Sequence, residues 1–142
     1  MVTITAEAVS GYRIEITNGR HQWLADEPVE LGGDDSGPSP YELLLGSLAA
    51  CTCITLTMYA QRKGISLTSV SASYTYDRIH ADDCEFCEED ASGFIDTVRS
   101  QVFLEGDFDD AQRERLADIA KKCPVHKTLE RGITFTEEVF VG

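Results

Sequence analysis

Residues 39–64 read "SPYELLLGSLAACTCITLTMYAQRKG", and this stretch decides the fold. Ser39 is placed to cap a helix, Pro40 suits the first helical position, and Glu42 completes an S-x-x-E capping box. The helix is expected to run to about Lys63 and to stop at Gly64. Its apolar residues fall on all sides, the mark of a central, buried helix rather than a surface one. In length it approaches a membrane span. Ser47, Thr52, Thr55 and Thr57 interrupt it, however, and the rest of the chain reads as a soluble domain, so no span is expected.

Working outward, three short strands precede the helix. "VTITAEAV" (2–9) and "YRIEIT" (12–17) alternate, Asn18-Gly19 is a strong hairpin signal, and "RHQWLA" (20–25) follows. "LGGDDSGPSP" (31–40) is a loop by composition. Beyond the helix, "SLTSVSASYTYDRIHA" (66–81) sets Val70, Ala72, Tyr74 and Tyr76 on one face of a strand. The acidic "DDCEFCEEDASG" (82–93) turns the chain, and "FIDTVRSQVFLEG" (94–106) returns it. Asp109 opens a second helix, with Gln112 at its capping-box position and Leu116, Ile119 and Ala120 as its core side. That helix ends near Cys123, because Pro124 disfavours helical geometry in the residue before it. "PVHKTLER" (124–131) reads as a short helix closed by Gly132, and "ITFTEEVFV" (133–141) as a last strand. The order βββ-α-ββ-αα-β is that of an α+β protein, with helices packed on antiparallel sheets in one domain spanning residues 1–142.

A chain of 142 residues can bury about two-thirds of its unfolded surface without staples. The net charge of −13 argues against nucleic acid or an anionic membrane as partner, since both are polyanions. Five cysteines is an odd number, and no secretory pattern opens the sequence. A reducing cytoplasm with mostly free thiols is the expected setting.

Three places hold candidate chemistry. Lys121, Lys122 and Lys127 crowd around Cys123, which sits at a helix N-cap. Helix terminus and cations both favour a thiolate, although helix-terminal lysines complement the preceding helix's dipole equally well. Cys51 and Cys53, two positions apart on a helix, are turned about 200° from one another. At most one faces a given cavity. Finally, His80, Cys84 and Cys87 form a C-x₂-C with a histidine nearby. This is half of a zinc pattern whose second half is missing, and it reads equally as a redox-labile disulfide hairpin or as nothing functional. Phosphate loops, nucleophile elbows and zinc-protease motifs are absent from the sequence, and neither cofactor nor metal is expected.

"SPYELLLGSLAAC" followed at a distance by "CPVHKTL" resembles the osmotically inducible protein C and organic hydroperoxide resistance (OsmC/Ohr) family. "LAAC" is similar to the family's A-x-C helix centre, and "CPVHKTL" to its C-P-x-S/H-x-x-L pattern. The resemblance covers nearly the whole chain and implies an intertwined homodimer with two interfacial active sites. It further implies thiol peroxidation of organic hydroperoxides, reset by a thiol reductant. In that reading Cys51 attacks the peroxide, Cys123 resolves the sulfenic acid as a Cys51–Cys123 disulfide, and Arg20 steadies the attacking thiolate.

One departure stands out. The family's peroxidases carry N-P-E, where this chain has Ser39-Pro40-Tyr41. The nearest carboxylate, Glu42, is displaced by one position, or about 100° around the helix, which favours capping although Glu42 stays among the candidate site residues. A non-catalytic binding module for a small apolar or electrophilic ligand, or a sensor built on Cys84, Cys87 and His80, are the competing readings.

Overall fold

The computed structural model describes residues 1–84 and 92–142. The chain divides into two compact units, residues 1–46 and 47–142.

In the first unit, β1 (Thr5–Ser10), β2 (Arg13–Thr17) and β3 (Gln22–Ala25) form an antiparallel sheet in the order β1-β2-β3. Ile14 pairs with Ala25 and Ile16 with Trp23. The turn at Asn18-Gly19 is wider than a two-residue hairpin, because the Asn18 carboxamide accepts the N–H groups of Arg20 (2.9 Å) and His21 (2.7 Å). After β3 the chain is organised by Asp26, which is 2 % exposed. Its carboxylate accepts the Ser36 hydroxyl at 2.6 Å and the N–H groups of Glu27, Asp34 and Ser36. These bonds, the Ser36 hydroxyl foremost, hold its pKa below the ordinary carboxylate value against the opposing effect of burial. The loop closes so tightly that a Cβ on Gly33 would run into the Glu27 carbonyl.

Helix α1 (Pro40–Lys63) begins and ends where its caps dictate. Glu42 N–H donates to Ser39 Oγ (3.4 Å), and Ser39 N–H to the Glu42 carboxylate (3.3 Å), so the capping box forms. Gly64 leaves the helix with φ +67°.

In the second unit, β4 (Ser66–His80) and β5 (Phe94–Asp107) pair antiparallel from Ser66↔Asp107 to His80↔Phe94. α2 (Asp110–Ala120) carries the expected capping box, with Asp109 and Gln112 bonded at 2.7 and 3.0 Å. α3 (Pro124–Arg131) follows after a three-residue turn. The core joins α1 to α2: Leu56, Tyr59, Ala60, Ile65, Leu116 and Ile119 are buried together, with Val70, Val102 and Leu104 of the sheet packed against them.

Two expectations are corrected. The helix is not covered on all sides. Leu48, Thr52, Leu56, Tyr59 and Ala60 are buried, but Ile54 and Met58 are about 60 % exposed, because the sheet and α2 pack on one side only. α1 is long and apolar enough to cross a membrane, yet its buried face is the core of this unit. Nor does "ITFTEEVFV" form a strand: residues 133–142 have no regular structure, and Phe135, Val139, Phe140 and Val141 are exposed. A strand needs a neighbour to take its backbone N–H and C=O groups, and among the described residues none pairs with this segment.

Two outcomes are expected. Leu116→Ala, at a site with no exposure, costs about 2–5 kcal/mol, read as a lowered denaturation midpoint. The Asp26 contribution follows from its depressed pKa: it is present above the unfolded carboxylate value and is lost as pH falls through the folded one. Limited proteolysis of the 26–36 loop should therefore accelerate on acidification in the native protein, whereas Asp26→Asn is cut rapidly already at neutral pH.

Candidate active site

Two elements of the second unit bring two distant cysteines together. α1 supplies Cys51 from its middle turns, and Cys123 is the N-cap of α3. Pro124 holds Cys123 in an extended conformation (φ −58°, ψ 123°) and needs no N–H partner at the first helical position. The Cys123 sulfur thereby takes the place of an N-cap oxygen. It accepts the His126 N–H at 3.5 Å.

The Cys123 side chain is only 1 % exposed, whereas Cys51 is partly open. The two thiols are near enough to bear on one another's ionisation, and the Thr52 hydroxyl also favours the Cys123 thiolate. These surroundings give the two thiols opposite tendencies. For Cys123, burial disfavours the thiolate, but the donors from Cys51, His126, Thr52 and Val125 outweigh it, and its pKa falls below the ordinary thiol value. For Cys51, burial raises the pKa, and so does its place beside Cys123; the Val125 N–H and the Thr55 hydroxyl only partly oppose this. Of the two thiols, Cys123 is thus the more readily ionised.

Lys121, Lys122 and Lys127 are exposed, and the polarisation of Cys123 comes from hydrogen bonds on its sulfur rather than from them. His126 pairs through its imidazole with Glu130 at 3.1 Å, one turn further on. Thr52 is buried and shares a 2.7 Å hydrogen bond with the Tyr74 hydroxyl of β4. The sequence reading did not single out Thr52. No local pattern marks it, since the bond joins residues 22 positions apart. Tyr74 and His126 also line a cavity of about 800 Å³ together with Leu48, Ile95, Val98 and Arg99.

The other candidate residues have partners of their own or belong to the first unit. Cys53 is half-buried and a free thiol, and its carbonyl accepts the Thr57 hydroxyl at 2.8 Å. Glu42 is engaged in its capping box. Arg20 belongs to the first unit, where Asn18 fixes its backbone. His80 accepts the Asp82 N–H at 3.3 Å and meets Phe94 edge-on. Cys87 lies outside the described residues, and among those described no cluster of histidine, cysteine and carboxylate is set to hold a metal.

The geometry has relatives. Among solved structures, an OsmC-like protein of Mycoplasma pneumoniae is 21 % identical, with 92 % of this chain and 87 % of that one covered at a TM-score of 0.69. An organic hydroperoxide resistance protein of Legionella pneumophila is 23 % identical, with 89 % and 87 % covered at 0.61. A Vibrio cholerae protein described as an organic hydroperoxide resistance protein, solved with captopril in one of its active sites, is 19 % identical, with 88 % and 82 % covered at 0.59. At such identities the likeness is one of fold. No curated protein sequence matches. The OsmC-like protein family model matches residues 33–138, from the loop before α1 to beyond α3. With the helix, the cysteine pair and three-quarters of the sequence inside that match, the chain belongs to the OsmC-like family.

Proposed function

We infer that this protein is a thiol-dependent peroxidase that reduces organic hydroperoxides. The observation that carries the reading is a partly open Cys51 thiol beside a buried Cys123 sulfur that caps a helix N-terminus. As the peroxide approaches, Cys51 hands its proton to Cys123. The Cys51 thiolate then attacks the terminal peroxide oxygen and the O–O bond breaks. Cys51 is oxidised to a sulfenic acid, and the departing alkoxide takes the proton from Cys123 and leaves as the alcohol. Cys123, again a thiolate, attacks the Cys51 sulfur. The S–O bond breaks, hydroxide leaves, and a disulfide remains for an external dithiol to reduce. Arg20 is the cation that steadies the attacking thiolate in this scheme, and the setting is the reducing cytoplasm, where such a dithiol is supplied.

A second reading has its own support. The cavity of about 800 Å³ is large enough to bury a small apolar ligand, and its walls do not include either thiol. In that case the protein binds such a ligand and consumes no peroxide.

The working unit is a homodimer. Ile54 and Met58 on α1, Phe103 on β5 and the apolar residues of 133–142 are exposed in the single chain, more apolar surface than a monomer ordinarily leaves open. A second copy would cover the helix face and give the C-terminal segment a strand to pair with.

Reduced protein treated with one equivalent of an organic hydroperoxide should show a Cys51–Cys123 disulfide by non-reducing peptide mass spectrometry. Cys51→Ser should abolish turnover while the fold persists, and Cys123→Ser should stop after one sulfenic acid. An unreacted Cys51, with a ligand released in native mass spectrometry, would leave the binding reading in its place. Light scattering should give twice the chain mass of 15.6 kDa, and Ile54→Lys with Met58→Lys should halve it.

A further inference from the structure

One short helix, α3, belongs both to Cys123 and to the cavity. At its start, the 1 % exposed Cys123 accepts the His126 N–H at 3.5 Å. His126, Leu129 and Glu130, spaced i, i+3 and i+4 and therefore on one face, form part of the wall of the cavity of about 800 Å³. His126 thus serves the sulfur through its N–H and also lines the cavity. The helix is lightly held. None of its residues is buried, Leu129 is 40 % exposed, and Gly132 leads into a segment without regular structure. The bonds of its side chains stay inside it: Thr128 to the Pro124 carbonyl at 3.0 Å, Arg131 to the Lys127 carbonyl at 3.3 Å, and His126 to Glu130 at 3.1 Å.

The wall also states what it would accept. Leu48, Ile95 and Val98 add to the apolar surface of Leu129. Its charges are largely matched already. Glu130 is engaged by His126, and Asp96 accepts the Tyr76 hydroxyl at 2.7 Å and lies 3.9 Å from Arg78. Asp83 and Arg99, also on the wall, are of opposite sign. An anion would meet more carboxylates than arginines there, and a cation would compete with His126 and Arg78 for their partners. A neutral ligand meets neither obstacle.

We propose that α3 couples this cavity to the thiol pair: a neutral ligand with an apolar body and a hydroxyl head, seated against Leu129 and His126, holds α3 down and with it the cap on Cys123. This rests on the reading of the cavity as a ligand site. With α3 docked, the wall is complete and the sulfur is covered; with α3 lifted, both are lost. The ligand has its α3 contacts in the docked state alone, and that difference in affinity shifts the equilibrium. By linkage, whatever loosens the cap weakens the ligand by the same factor.

The test follows alkylation of the reduced full-length protein by iodoacetamide, read at each cysteine by peptide mass spectrometry, with 1-octanol as the probe. Without octanol, low urea should hardly change the Cys123 rate, since lifting α3 exposes little surface. A steep urea dependence would mean that Cys123 is reached only by unfolding of the core, and would overturn the coupling. Octanol at ten times its Kd should slow Cys123 about tenfold, because the lifted population falls by 1 + [L]/Kd. Cys53, which is not on the cavity wall, should keep its rate. Leu129→Ala should raise the octanol Kd severalfold, and an unchanged Kd would place octanol elsewhere and refute the proposal. Octanoate bound as tightly as octanol would refute the neutral head. Octanol that binds without slowing Cys123 overturns the coupling and leaves the cavity a ligand site, whereas no binding removes both. Peroxide takes no part, so a protein inert to peroxide still answers.

Discussion

A sulfur buried at the start of a helix must either find donors or stay neutral, and the arrangement around Cys123 follows from how that constraint is met. Burial alone favours the thiol form. The His126 N–H of α3 points at the sulfur because Cys123 caps that helix, and it does so only while Pro124 keeps the capping residue extended. α1 must then bring Cys51 beside that sulfur. It can, because Thr52 shares the buried face with Leu48, Leu56 and Tyr59, and neighbouring positions on a helix differ by about 100°. Cys51 consequently sits at the border of that face, close enough to bond Cys123 and open enough to be reached. The core formed by α1, α2 and the β4–β5 sheet thus does more than stabilise, since it sets the azimuth of the helix that decides which cysteine is accessible.

The same azimuth explains what is left uncovered. A helix with apolar residues all round has too few neighbours in this chain, and Ile54 and Met58 remain on its open side. The C-terminal segment faces the same shortage in backbone form, having alternating apolar residues and, among the described residues, no strand paired with it. On the homodimer proposed above a second chain would answer both, and they concern different kinds of bonding. Two such independent deficits make a stronger case for association than either exposed patch does.

Much of this was legible in the sequence, and the reasons differ from place to place. Local chemistry was readable at the ends of α1 and α2, where Ser39, Glu42, Asp109 and Gln112 form the capping boxes their spacing announced. The inward face of β4 was readable for the same reason, since Val70, Ala72, Tyr74 and Tyr76 need only a period of two. The cysteine pairing became visible through family likeness, because no periodicity links position 51 to position 123. The lysines around Cys123 misdirected the electrostatics. Charge is conspicuous in a sequence, but side-chain direction is not, and these three point to solvent. The Thr52–Tyr74 bond was invisible for a related reason: it joins a helix to a strand across 22 positions, and only packing decides that the two hydroxyls meet. The last strand failed as an expectation because strand formation depends on a neighbour, and a pattern of two says nothing about whether one exists.

The acidity of the chain sharpens the role of those short bonds. With 25 acidic and 12 basic residues, the protein's own field opposes any buried anion. The opposition is weak, however. One exposed carboxylate about 15 Å away acts through water with about 0.3 kcal/mol, less once salt screens it. A hydrogen bond to a charged sulfur contributes about 1.5–3 kcal/mol. A few donors in contact therefore outweigh many carboxylates at a distance, and a strongly acidic surface is compatible with a thiolate inside. It also follows that exposed lysines are poor devices for the purpose, since solvent discounts them as it discounts the carboxylates. The efficient place to fix the charge of Cys123 is within bonding distance of its sulfur, where the His126 N–H already is.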